Sequence, residues 1–240
     1  MALFASCIAD LAAPGPARAA VEVLEAMGCR VSFPEAQSCC GQPALNSGFP
    51  GEGRLLARHW IETFEPFQAV VSPSGSCVAH VHHQFPRILE GPWAARARDM
   101  AGRTYEFSQF VAAYGEGLPL ALDATVTVHD SCHMWRALGE RRSVRSVLGR
   151  IEGLRIVEME DADTCCGFGG TFSAKFPYVS VAMADAKLAR GQGAGAQWMV
   201  SADPGCLMHL QARAAWKGSP LQARHLAEVV RDALGPGGGR

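Results

Sequence analysis

Gln37-Ser38-Cys39-Cys40-Gly41 and Asp163-Thr164-Cys165-Cys166-Gly167 are the two stretches on which the reading of this chain turns. Each is an adjacent cysteine pair running straight into glycine, and the text around each pair repeats as well. Ala5-Ser6-Cys7 answers Asp130-Ser131-Cys132. Val71-Ser72, a turn and Cys77-Val78-Ala79-His80 answer Val200-Ser201, a turn and Cys206-Leu207-Met208-His209. Cys7 precedes Cys39 by 32 positions and Cys132 precedes Cys165 by 33; the second intervals, Cys40 to Cys77 and Cys166 to Cys206, are 37 and 40. Eight of the nine cysteines therefore fall into register across a duplication. Its period far exceeds the roughly 20–50 residues of solenoid repeats, so each copy is expected to be a compact unit. The units are read as two cysteine-rich domains, 1–118 and 119–240, parted at the Gly/Pro cluster Gly115-Glu116-Gly117-Leu118-Pro119.

Outward from the pairs, short apolar runs alternate with amphipathic stretches. The runs cover 2–5, 31–33 and 69–72 in the first copy and 125–129, 154–159 and 198–201 in the second. Helical patterns fill 17–27, 52–64, 144–150 and 179–190. Strand, loop and helix in repeated alternation predict an α/β fold: two tandem, pseudo-duplicated Rossmann-like βαβ units with mostly parallel sheets. In such sheets the loops after the strand carboxyl ends open on one edge, where ligands bind. Every register cysteine falls in or just after such a loop. The spacing thus predicts two converging ligand sets, Cys7, Cys39, Cys40 and Cys77 in one half and Cys132, Cys165, Cys166 and Cys206 in the other.

The 240 residues are 48% apolar, 19% charged and 8% aromatic, a composition with ample material for a buried core. Lysine and arginine number 22 against 23 acidic residues, and no basic stripe or acidic tail stands out. That argues against nucleic acid or an anionic membrane surface as the main partner. No apolar run reaches the roughly 18 residues of a membrane helix, and the N-terminal segment lacks the charged opening of a signal peptide. A cytoplasmic setting is expected. There disulfides are rare, so clustered cysteines point to metal or redox chemistry.

Thiolates favour iron–sulfur clusters and zinc over hard cations. Structural zinc sites commonly show close C-x-x-C pairs, and this chain has none. Adjacent cysteines are awkward for one tetrahedral ion and suit a multi-iron core better, and glycine after each pair lets the backbone turn close to an inorganic core. Cys29, without a counterpart, reads as a small buried hydrophobe.

With these motifs in hand, the chain resembles the cysteine-rich CCG-domain family, which includes a subunit of heterodisulfide reductase and the glycolate oxidase iron–sulfur subunit. The stretches 33–44, 71–77, 131–134 and 165–172 look most like its lactate-utilization branch, and the similarity runs from Met1 to about Leu234. The resemblance implies an iron–sulfur electron-transfer subunit, non-catalytic or co-catalytic, of a complex oxidising L-lactate to pyruvate. It implies one [4Fe-4S] cluster per half, with zinc in one half as the alternative, and two further lactate-utilization subunits as partners. Two departures matter. The family's five-cysteine form ends in C-x-x-C, whereas here Cys77 and Cys206 are each followed three residues later by histidine. Nor is there a C-x-x-C-x-x-C ferredoxin run, so ferredoxin-type clusters are expected on a partner. Thiol–disulfide redox chemistry of the heterodisulfide reductase kind and a zinc-stabilised scaffold are the competing functions.

His80 and His209, at equivalent positions, are candidate imidazole ligands. His129 and His133 flank Cys132 and suit a supporting role around the metal. His59, His82, His83 and His225 are expected at the surface. Gly167-Phe168-Gly169-Gly170 is glycine-rich but matches neither a dinucleotide fingerprint nor a P-loop.

Overall fold

Val70-Val71 and Thr125-Val126-Thr127-Val128 are β-branched runs of the kind that fill buried strands, and they become central strands of two parallel sheets. Residues 1–235 are described by the structure, a computed structural model of the chain, so the last positions of the expected second domain, 236–240, lie outside it. The first half runs β1 (Ala2–Leu3), α1 (Cys7–Leu11), α2 (Gly15–Ala26), α3 (Gln42–Asn46), α4 (Pro50–Phe64) and β2 (Val70–Ser72). It continues through α5 (Gly75–His83), α6 (Phe85–Ile88), α7 (Pro92–Gly102), β3 (Thr104–Glu106) and α8 (Phe107–Tyr114). The second half runs β4 (Ala121–Val128), a π-helical turn at His133–Ala137, α9 (Arg142–Leu148), β5 (Glu152–Ile156) and α10 (Thr171–Lys175). After these come α11 (Pro177–Gly193), β6 (Trp198–Ser201), α12 (Pro204–Lys217), β7 (Gln222–His225) and α13 (Leu226–Ala233).

The strand orders are β1-β2-β3 and β5-β4-β6-β7, and every pairing is parallel. The fold is therefore α/β with two parallel sheets, as expected. The strand expected at 31–33 is reduced to one parallel bridge, Ala2 to Ser32, in the place that β5 holds in the second sheet. Pro34 follows directly and has no N–H to extend the ladder. Conversely, β3 and β7 carry no continuous apolar run. As edge strands they pair on one side only, so Thr104-Tyr105-Glu106 and Gln222-Ala223-Arg224-His225 suffice.

Helices cross-pack between the halves. α2 buries Ala19, Ala20, Val23 and Leu24 against α13, which buries Leu226, Ala227, Val229 and Val230 in return. The corresponding helices, α8 after β3 and α9 after β4, make the reciprocal contact. One core, containing Leu24, Phe107, Val126, Leu148 and Val230, is thus built from both halves. A flanking core behind each cysteine set completes the interior, aromatic around Trp60 and Phe64 in the first half and aliphatic around Leu188 and Leu210 in the second.

Candidate metal centre

The register cysteines occupy the strand carboxyl ends. Cys7 opens α1, whose first turn is capped by Ser6 Oγ accepting from Ala9 N at 3.1 Å. Cys77 and Cys206 lie in the first turns of α5 and α12, and Cys132 directly precedes the π-helical turn. The two pairs sit in the loops before α3 and α10. Four of the eight positions thus stand at the amino-terminal end of a helix or helical turn, where backbone N–H groups point toward the site.

The fold brings all eight together. They line a single cleft between the halves, about 840 Å³ including its open mouth. Cys7 Sγ stands 3.6 Å from Cys39 Sγ, Cys40 Sγ 3.7 Å from Cys77 Sγ, and Cys166 Sγ 3.0 Å from Cys206 Sγ. All nine cysteines are free. Gly41 and Gly167, at φ of 88° and 90°, turn the chain after each pair, and their N–H groups reach back to Cys39 and Cys165 Sγ at 3.5 and 3.4 Å. Any other residue would be strained in that left-handed conformation, which accounts for the glycine in both motifs.

Within each set one thiol is the acid. The Cys39 thiol is pulled down to about 2 by hydrogen bonds from Cys40 and Cys7 and by the Gly41 N–H. Cys165 is pulled down to about 2 by Cys132, Cys166 and the Gly167 N–H. Their neighbours Cys7, Cys40, Cys132 and Cys166 are pushed up, chiefly by giving those hydrogen bonds, with burial adding to the effect. Without metal, each set is therefore a thiolate solvated by thiols, and metal loading must release the remaining protons.

Two four-thiol sets with backbone N–H groups on sulfur fit a thiolate-bound metal. Four thiolates around one ion at about 2.3 Å stand about 3.8 Å apart, which is close to the Cys7–Cys39 and Cys40–Cys77 spacings. The cleft between the sets leaves volume for a larger core.

The halves meet at this cleft. Asp203, buried, accepts from Ser76 N at 2.9 Å across the boundary and from Gly205 N at 3.1 Å, joining the starts of α5 and α12. Gly75 N donates to Ala202 O at 3.1 Å, and a Cβ on Gly75 would stand 2.6 Å from the Met134 side chain. Gln42 Nε2 lies 3.2 Å from His133 Nε2, and His133 Nδ1 3.7 Å from Cys132 Sγ. His133 therefore lines the cleft beside Cys132.

The structure redistributes the other histidines. His209 is engaged by Ser180, 3.2 Å from its Oγ. His80 is buried with its ring edge-on to Phe85 at 5.7 Å. Among the described residues neither belongs to a group of donors close enough to share an ion, whereas His129 does: its ring, with Cys166 and Cys206, places all three donor atoms within 4.8 Å of one another. Burial, with the Lys187 ammonium nearby, pushes His129 down to about 3, leaving the neutral imidazole that metals bind. Of the histidines expected at the surface, His59 is exposed and His82 and His83 are half-buried, but His225 is buried. Its Nδ1 accepts from Ala227 N at 3.1 Å, capping α13, a task that takes it out of solvent. Cys29 is half-buried at the margin of the shared core.

The cysteine-rich domain family named for its CCG motif matches this chain twice, over residues 1–82 and 126–211. Lactate utilization protein A of Halalkalibacterium halodurans is 45% identical over 234 residues, 96% of each chain. Lactate utilization protein A of Anoxybacillus flavithermus is 42% identical over 232 residues, 95% of this chain and 97% of its own. Among solved structures, a hypothetical protein from Helicobacter pylori shares the fold with a TM-score of 0.67 at 12% identity, covering 98% of this chain and 49% of that one.

Proposed function

The chain belongs to the cysteine-rich CCG domain family, and from that premise we propose that it serves lactate utilization as an iron–sulfur electron-transfer subunit of a complex oxidising L-lactate to pyruvate. Its partners are two other lactate-utilization subunits, at least one with ferredoxin-type clusters, in the cytoplasm, where free thiols persist. The relatives named lactate utilization protein A support the role in lactate use. The observation that carries the redox reading is the single cleft bordered by two sets of four thiols.

Oxidation of lactate to pyruvate gives up two electrons and two protons, and iron–sulfur clusters supply one-electron relay sites. The chain's own residues would hold such clusters through Cys7, Cys39, Cys40 and Cys77 and through Cys132, Cys165, Cys166 and Cys206. Helix starts and backbone N–H groups offset the negative charge on sulfur. No helix among the described residues is long and apolar enough to cross a membrane.

A second reading, zinc in one set, is favoured by the 3.6 and 3.7 Å sulfur spacings, which suit one ion. Iron, acid-labile sulfide and zinc per chain, measured on protein purified without oxygen, separate the two. About eight irons with about eight sulfides are expected for one four-iron cluster per half. Iron near half that amount with one zinc assigns zinc to one set, and zinc without sulfide rules out the electron relay.

A further inference from the structure

The duplication allows the two sulfur sets to be compared position by position, and they differ where it matters for a metal. Phe4 stands three residues before Cys7, and His129 three before Cys132; Trp60 and Lys187 each stand ten residues into the long helix that begins at Pro50 or Pro177. In the first half Phe4 meets Trp60 edge-on with ring centroids 5.5 Å apart, an apolar wall behind Cys40 and Cys77. In the second half the same two positions carry His129 and Lys187, both almost wholly buried. The Lys187 ammonium donates to Asp161 O at 2.7 Å and Ala162 O at 3.1 Å. His129 is fixed by its backbone, N to Val200 O at 2.8 Å and O from Ser201 Oγ at 3.0 Å; its ring faces the Ala162 carbonyl, a contact that falls short of a well-formed hydrogen bond and is shared with the Lys187 ammonium.

Even with that carbonyl facing the ring N–H, the imidazole's lone-pair nitrogen is buried without a donor, a cost folded proteins avoid unless something else satisfies it. The ring lies within the 4.8 Å group formed with Cys166 and Cys206. We infer that His129 is a metal ligand of the second set, making that centre a mixed thiolate–imidazole site, while the first set, with Phe4 in the equivalent position, is all-thiolate. The consequence for potential rests on the iron–sulfur reading above. The buried Lys187 cation behind the second set favours added electrons there, where the first set has Trp60, so the second centre is expected at the higher potential.

Ligation is tested with Co²⁺ as the probe, loaded anaerobically into the metal-free full-length chain and followed by proton NMR in water. A ligating imidazole gives a far-shifted, solvent-exchangeable N–H resonance. One such signal is expected in the unmodified protein; it disappears in His129→Phe, which copies the first half, and persists in His80→Phe and His209→Phe. Should His129→Phe fail to fold, as judged by near-UV circular dichroism, His129→Asn replaces it with the same expectation. Absence of the signal from the unmodified protein, or its survival in the His129 variant, overturns the assignment. Because Co²⁺ binds the protein's own donors without iron or sulfide, iron and sulfide analysis fails or holds separately: a His129 signal with no native iron removes the relay but leaves the ligand.

Discussion

At the scale of single residues, the division of labour within each cysteine pair has a chemical consequence. Cys39 and Cys165 are held as thiolates by neighbouring thiols and a glycine N–H, and both are half-buried rather than sealed. In reduced, metal-free protein at pH 5–6, iodoacetamide should therefore modify Cys39 and Cys165 first, since the thiolate is the nucleophile. Peptide mass spectrometry gives the order, and modification of Cys29 ahead of both would contradict the assignment. The eight cysteines were legible in the sequence because a ligand set repeated in register leaves a mark no core packing would. His129 was half-legible, flagged by its nearness to Cys132. What singled it out over His80 and His209 was the side-chain packing of α11, through Lys187, and of Ser180 against His209. His225 was misread because its helix looks amphipathic, whereas an N-cap is turned inward by the backbone groups it serves.

At the scale of elements, the edge strands hand their last residue to the next helix as a cap. Glu106 at the end of β3 and His225 at the end of β7 each complete a capping box, with Gln109 and Glu228 respectively. Glu106 accepts from Ser108 N at 2.7 Å, its other carboxyl oxygen has no partner, and burial pushes it up from 4.5 to about 8. The folded state thus keeps a proton that the unfolded chain releases, so this group's contribution is complete below pH 4.5 and declines as pH rises toward 8. Glu106→Gln, neutral at every pH, should gain on the unmodified protein across that window by up to about 1.4 kcal/mol per pH unit. Urea midpoints at pH 5, 6.5 and 8 provide the check, and parallel curves would refute it. Sequence pattern located the long helices α4 and α11 and the apolar strands β4 and β6. It missed β3 and β7, whose few polar residues are made strands by a partner distant in sequence.

At the scale of the whole molecule, the cross-packing of α2 with α13 and of α8 with α9 makes the halves one folding unit. A single urea transition is expected, with far-UV circular dichroism and tryptophan fluorescence coincident. A chain ending at residue 118 should not fold, because α2 would expose Ala19, Ala20, Val23 and Leu24. Two separable transitions, or a folded 1–118 fragment, would establish independent domains instead. The duplication itself was plain in the cysteine register; the sharing of a core across it was not, because every helix face reads alike whether its cover comes from its own half or the other. That sharing has a further meaning. The contact is self-reciprocal, each half offering the same pair of helices to the other, so a lone half could satisfy it by pairing with its own copy. Such a dimer would be bound to carry two identical cysteine sites, since any change in one would appear in both. Joining the copies into one chain removes that constraint, and the difference between Phe4 with Trp60 and His129 with Lys187 is one a fused pair can keep and a dimer of identical halves cannot.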